Sequence, residues 1–251
     1  MRIQNGMLPV EWRAAEGRLY SEGKPVESAV RRLGDMKEVL YDGKFAASAD
    51  PNQVLYYMHR DVHRECDGDA FRKAHRRYDI TVIPPATLGD ERVKTVGHYH
   101  ELTMKGVSYP ELYEVLSGTA HFMIFRRERR GGKDIDSRIA EAMLIEARAG
   151  QKVFVPCDFG HVMISPSSEV LVTSNIVEWK FKSLYEPVGM MRGAPYFELV
   201  NGSVVENMRF TTLPGLKKAD ASAPAISLGL GKECIYDLFV ESPKDFAFLE
   251  P

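Results

Sequence analysis

Hydrophobic and polar residues follow three textures along this chain. Between Ser28 and Leu40 the apolar residues Val30, Leu33, Met36 and Leu40 recur every three or four positions, which predicts a helix. Gly34 inside it costs about 1 kcal/mol relative to alanine. Ahead of it, Val10 to Val26 reads as short extended pieces around the turn signals Glu16-Gly17 and Glu22-Gly23. The stretch from His59 to Arg77 is dense in charge and histidine and reads as exposed.

From about Tyr78 the pattern changes to short apolar runs and alternation with period two. Ile80 to Pro84, Arg92 to His100, Glu111 to Leu116, Ala120 to Arg127, Ala142 to Ala147, Lys152 to Val155, Val162 to Ser165 and Val170 to Trp179 suit strands. Ser117-Gly118, Arg130-Gly131-Gly132, Ala149-Gly150 and Ser165-Pro166-Ser167 punctuate them as turns. Short strands in such density, with no helical pattern between them, argue for a barrel or sandwich rather than βαβ units. Tyr196 to Val200 and Ser203 to Phe210, joined by Asn201-Gly202, predict a hairpin.

Beyond it, Ala219 to Ala225 is linker-like, and Ile235 to Leu249 holds enough aromatic side chains to dock on another surface. The chain therefore divides into an N-terminal part (1–77), a β core (78–210) and a C-terminal extension (211–251).

Composition narrows the partners. The chain has 251 residues, 44% hydrophobic and 27% charged, with a formal net charge of −2. That balance gives no electrostatic case for nucleic acid or an anionic membrane. No run approaches the roughly 20 apolar residues of a membrane span, and Met1 to Gly6 lacks a secretory apolar segment. Cys66, Cys157 and Cys234 are odd in number and widely spaced, which reads as free thiols in a reducing cytoplasm.

The chemistry concentrates at Gly97-His98-Tyr99-His100, at Glu111 and at His161. Alternation on a strand points His98 and His100 the same way. With the Glu111 carboxylate and His161 they can hold one divalent ion, leaving two positions of an octahedral field for water or substrate. Imidazole and carboxylate together suit iron, nickel, manganese, cobalt or zinc. A His-x-His pair alone is weak, because strand histidines are often satisfied core residues; the fourfold order is stronger. His121 reads as structural, and His59, His63 and His75 as solvated. Cys157, in the turn before His161, is a weaker candidate ligand. Arg92 and Lys94 read as a solvated strand edge.

In these stretches the chain resembles the cupin superfamily and, within it, the cupin-type, archaeal-style glucose-6-phosphate isomerases. The likeness rests on Val30-Arg31-Arg32-Leu33-Gly34-Asp35-Met36-Lys37, Thr95-Val96-Gly97-His98-Tyr99-His100, Pro110-Glu111-Leu112-Tyr113 and Pro156-x4-His161. It runs from about residue 10 to 205, and the gap between His100 and Glu111 is longer than in most cupins. It implies a mainly β fold: a cupin β-barrel (double-stranded β-helix or jelly roll) with a short N-terminal α/β segment and a C-terminal extension. It also implies metal ligation by His98, His100, Glu111 and His161, and sugar-phosphate contacts at Tyr56, Thr81, Thr95, Gly97 and Tyr113. A homodimer is the family-level expectation.

One departure concerns the reacting end of the sugar. The family places a histidine two residues before a tyrosine there; this chain has Ser183 before Tyr185. The resemblance makes Tyr185 a candidate catalytic residue, and the histidine's task passes to Lys182, to water, or is lost. The implied reaction is the interconversion of glucose 6-phosphate and fructose 6-phosphate, by proton transfer through a cis-enediol or by a hydride shift. Glu111 is the candidate base, limited by its role as a ligand, and Tyr113 could orient the sugar or relay a proton. Two other readings share the ligand set. One is a ferrous dioxygenase, which the Thr95-x-Gly97 run disfavours; the other is a non-catalytic sugar-phosphate-binding cupin.

Overall fold

The structure is a computed structural model and describes residues 1–221, 228 and 230–251. Two sheets carry the core. One has six strands in the order Lys152–Val155, Glu111–Ser117, Leu171–Glu178, Arg76–Ile83, Val54–His59 and Ala29–Arg32, with every neighbouring pair antiparallel. The other runs Phe159–Ile164, Thr119–Arg130, Lys133–Arg148 and Lys217–Asp220, the last pair parallel.

Their facing sides share one apolar core, in which Val115, Val153 and Leu171 of the first sheet meet Phe122, Ile124 and Val162 of the second. The fold is mainly β and cupin-like, built as two facing sheets. The chain passes from one sheet to the other at Gly118, whose φ is +81°. A Cβ there would lie 3.0 Å from the Val170 carbonyl oxygen, so glycine is required on both counts.

The six-stranded sheet is buried on both faces. On the outer side Tyr78, Ile80, Val82, Leu112, Val172 and Ile176 form a second core. It is covered by a small N-terminal sheet, whose strands are Arg2–Ile3, Val10–Arg13, Arg18–Ser21 and Lys24–Pro25. The helix Ile235–Glu241 and the 3-10 turns Pro243–Leu249 complete the cover through Tyr236, Phe239, Phe246 and Leu249. The extension thus docks through its aromatic residues. Residues 222–225 of the expected linker lie outside the described residues, and Lys217–Asp220 is a strand.

Several expectations fail locally. No helix spans residues 28–40: Ala29–Arg32 is an edge strand paired with Val54–His59, followed by 3-10 turns at Leu33–Val39. The apolar spacing was real, since Leu33, Met36 and Val39 are buried. Strand pairing and the close contact of Gly34 with Pro51 override the helical register. The stretch from His59 to Arg77 is not uniformly exposed either, because Val62, Phe71, Asp67 and Arg76 are buried. Arg92 to His100 is not one strand; it keeps strand geometry only at Glu91–Arg92 and Tyr99–His100. The boundary drawn at 77/78 falls inside strand Arg76–Ile83.

Candidate active site

Backbone pairing sets the first two imidazoles. The His98 N–H donates to the His161 carbonyl at 3.2 Å, and the His161 N–H returns the bond at 3.0 Å. This closed pair holds the two ring centroids 4.6 Å apart. Gly97 permits the approach: its φ is +83°, and a Cβ there would fall 2.4 Å from Val162 Cγ2. His100, two residues on, faces the same way with its ring 5.3 Å from that of His98. Glu111 opens the facing strand and supplies the carboxylate.

The ligand atoms of His98, His100, Glu111 and His161 all lie within 4.8 Å of one another. Glu111 Oε2 is 3.2 Å from His100 Nε2 and 3.5 Å from His161 Nε2. Ligand bonds of about 2.0–2.2 Å would set such donors roughly 3–4.4 Å apart, so only slight closure is needed to hold an ion. His100 Nδ1 bonds the Tyr109 carbonyl at 2.7 Å, which leaves Nε2 as the lone-pair nitrogen aimed at the cluster. Among the described residues the buried atoms His98 Nε2, His100 Nε2 and Glu111 Oε2 have no hydrogen-bond partner. A carboxylate oxygen and two imidazole nitrogens left bare together are the donor set a divalent cation satisfies.

Electrostatics prepare the same state. Burial pushes His161 down to about 4, against the pull of Glu111. Burial also pushes His98 well below the imidazole range, with His161 and His100 adding to it. Burial would raise the Glu111 carboxyl, but His100 at 3.2 Å, with His161 and Arg60, holds it below its usual value. At neutral pH His98 and His161 are therefore neutral and Glu111 is ionised, the protonation states that ligation requires. Burial keeps the Tyr113 phenol protonated, and its hydroxyl is hydrogen-bonded with His161 Nε2 at 2.9 Å.

One cavity gathers Tyr56, Thr81, Thr95, Gly97, Tyr113, Ser183 and Tyr185 around His98, Glu111 and His161. Thr95 Oγ1 accepts from the Met163 N–H at 3.0 Å, and the Tyr56 hydroxyl accepts from the Val96 N–H at 3.3 Å. Both hydroxyls therefore keep their own protons to donate. Ser183 is in register with His100 across a short strand pair, so the hydroxyl stands beside the cluster. Tyr185 lies 5.4 Å from the His98 ring, and Arg31 stands 5.3 Å over Tyr185.

Sequence reasoning missed other lining residues: Met58, Arg60, Met163, Asn175 and Phe181. A signal for two of them existed. Arg60 continues the alternation Tyr56, Met58, and Asn175 interrupts an otherwise apolar strand.

Other placements differ from expectation. His59 is fully buried, its Nδ1 bonded to the Glu27 carbonyl at 3.0 Å, because strand pairing draws it inward. His63 is half-buried, stacked on Phe71, whereas His75 is exposed. His121 Nδ1 lies 2.7 Å from Glu198 Oε2, a structural hydrogen bond in keeping with the expected role. Lys94 is not a solvated edge: it is buried and bonds Glu91 at 2.5 Å and the Val39 carbonyl at 2.9 Å. Arg92 is held by Glu198 at 3.0 Å. Cys157 stands outside the donor cluster, and the three cysteines are free thiols.

Two facing sheets around a cluster of three histidines and one glutamate define a cupin-like protein with a candidate metal centre. A family model described as glucose-6-phosphate isomerase (GPI) matches residues 30–214, and the chain belongs to that family. It is similar to the glucose-6-phosphate isomerase of Thermococcus litoralis, 28% identical over 150 residues, covering 58% of this chain and 67% of that protein. The Pyrococcus abyssi glucose-6-phosphate isomerase is 26% identical over 147 residues, covering 57% of this chain and 66% of that one. Similar solved structures include oxalate decarboxylase from Bacillus subtilis, with 16% identity and a TM-score of 0.35 over 52% of this chain and 28% of that one. Vicilin from Corylus avellana matches with 12% identity and a TM-score of 0.37, over 62% of this chain and 33% of that one.

Proposed function

We propose that the chain interconverts glucose 6-phosphate and fructose 6-phosphate at the four-donor cluster. The observation that carries this reading is convergence: His98, Glu111 and His161 of the cluster share one cavity with Tyr56, Thr81, Thr95 and Gly97. Hydroxyl donors and a glycine amide suit phosphate oxygens. Membership of the isomerase family supports the same substrate class.

His98, His100, Glu111 and His161 would hold one divalent ion, which when bound supplies Lewis-acid polarisation of adjacent sugar oxygens. The side chains divide the remaining work. Tyr56 and Thr95 donate their free protons to the phosphate and fix the sugar's register. The ionised Glu111 carboxylate takes the proton from the carbon beside the carbonyl and returns it to the neighbouring carbon. Tyr113, kept protonated by burial, hydrogen-bonds a substrate oxygen once His161 Nε2 is engaged as a ligand. Tyr185 closes the side near Ser183, and Phe181 and Met58 limit water.

The reading includes a homodimer in a reducing cytoplasm; light scattering in solution tests the dimer. No helix among the described residues is long and apolar enough to cross a membrane. A coupled assay on chelator-stripped protein reloaded with single metals tests the activity. Metal-dependent formation of fructose 6-phosphate, abolished by His161→Ala with the fold intact, is the expected result. No turnover on any hexose or pentose phosphate by metal-loaded protein would contradict it.

A further inference from the structure

The cavity floor carries a polar row that the reaction as described leaves unused. In register across the six-stranded sheet, Tyr113 faces Asn175 and Asn175 faces Asp79. Met58 faces Thr81, so Arg60, two residues beyond Met58, continues the row next to Asp79. The Asp79 carboxylate is 1% exposed and accepts from Arg60 Nη1 at 2.6 Å, from Arg77 Nε at 2.9 Å and from the Asp61 N–H at 3.0 Å. Two guanidinium groups share one carboxylate, and of these three side chains Arg60 is the one that lines the cavity, where it shares the wall with the Glu111 carboxylate. Asn175 is 3% exposed, and its buried amide nitrogen has no partner among the described residues. A donor left bare in this way costs about 1–3 kcal/mol, a cost that a ligand oxygen removes.

Both side chains line the same cavity as Glu111 and Tyr113. The Arg60 side chain is 41% exposed and reaches the cavity from its solvent side, where Asp79 holds it in place, so that no reorganisation is needed when substrate charge develops.

We propose that Arg60 and Asn175 bind the substrate oxygen that becomes negative during proton transfer, with Asp79 as the positioning residue that aims Arg60. The proposal rests on the isomerase reading. When Glu111 takes the carbon-bound proton, the C–H electron pair forms the carbon–carbon double bond. The carbonyl π pair then moves onto its oxygen, which Arg60 and Asn175 hold. The hydroxyl proton of the second carbon then passes to that oxygen, the charge left on the second oxygen collapses to a new carbonyl, and the proton held by Glu111 goes to the first carbon, with no net redox change.

The test compares wild type, Arg60→Gln, Arg60→Lys and Asn175→Ala, each metal-loaded, with metal content and melting temperature measured alongside. Arg60→Gln should lower kcat roughly a hundredfold, the scale for losing one oxyanion donor, while metal content is retained and KM changes far less. Arg60→Lys should recover part of the loss, and Asn175→Ala should fall between it and wild type. Calorimetric titration with glucose 6-phosphate should show weaker binding in Arg60→Gln, by about tenfold.

Wild-type kcat, KM and Kd in Arg60→Gln would overturn the proposal. If that variant does not fold, Arg60→Lys decides: reduced kcat supports the guanidinium contact and wild-type kinetics overturn it. If wild type shows no isomerisation, the isomerase reading fails, and calorimetry still decides the contact. Affinity lost in Arg60→Gln then supports it; unchanged affinity, or no binding to wild type, overturns it.

Discussion

The two faces of the six-stranded sheet are built from the same strands and end in opposite conditions. On the outer face the acidic and phenolic groups are paired beneath the extension, with Glu114 accepting from the Ile235 N–H at 2.8 Å and Tyr78 donating to Asn5 at 2.6 Å, although Ser174 Oγ and Trp12 Nε1 have no partner among the described residues. The inner face, one residue out of phase, leaves the Glu111 carboxylate oxygen and the Asn175 amide nitrogen bare, beside the bare nitrogens of His98 and His100, which come from the segment bridged to His161. Buried polar groups without partners cost stability. What distinguishes the inner side is that its bare groups include imidazole nitrogens and a carboxylate oxygen within 4.8 Å of one another, which marks where a ligand belongs.

Perturbing each face should therefore separate activity from stability. The largest effect is expected from His98→Ala, which removes a donor of the cluster at the inner side. Loss of several kcal/mol of transition-state stabilisation corresponds to a fall in kcat/KM on the order of a thousandfold, read in the isomerase assay with the melting temperature held near wild type. Phe239→Ala works in reverse. Phe239 is fully buried on the outer side and stacks on Phe71 at 4.6 Å, so denaturant titration should show a loss of about 3–5 kcal/mol. The kcat of the folded protein should be unchanged.

A third, smaller effect appears with pH. His161 in the folded chain titrates at about 4, below the ordinary 6.5, so the unfolded chain binds more protons between those values. Metal-free protein should be most stable above pH 6.5 and lose stability as pH falls toward 4. His98 shifts in the same direction. Chemical denaturation across pH 4–7 checks the sign, and His161→Phe should flatten the slope. The smallest effect belongs to the outer rim. Arg76 bonds both Glu178 at 2.7 Å and the largely exposed Glu250 at 2.6 Å. Glu250→Gln should cost under about 1 kcal/mol in the same titration.

The contrast between faces also explains what could be read from the chain. His98, His100, Glu111 and His161 were legible because strand alternation and turn spacing bring them together without knowledge of the packing. The strand pattern from Tyr78 onward was legible for the same reason. Arg60 and Asn175 were not, because their importance arises only when neighbouring strands pair and place them in one row. His59 was misread because its charged neighbours in sequence are not its neighbours in space. The segment 28–40 was misread because an edge strand and 3-10 turns can bury the same apolar residues as a helix. The aromatic tail announced a docking surface, but only the fold shows that surface to be the back of the sheet holding the site.

Divalent-metal titration of chelator-stripped wild type and Glu111→Gln, by calorimetry with elemental analysis, tests the central claim most directly. One ion per chain in the wild type, with affinity lost in the variant while its melting temperature stays near that of the stripped wild type, is the predicted result. A folded wild type that binds no ion, or a variant that binds as tightly as wild type, would contradict the account.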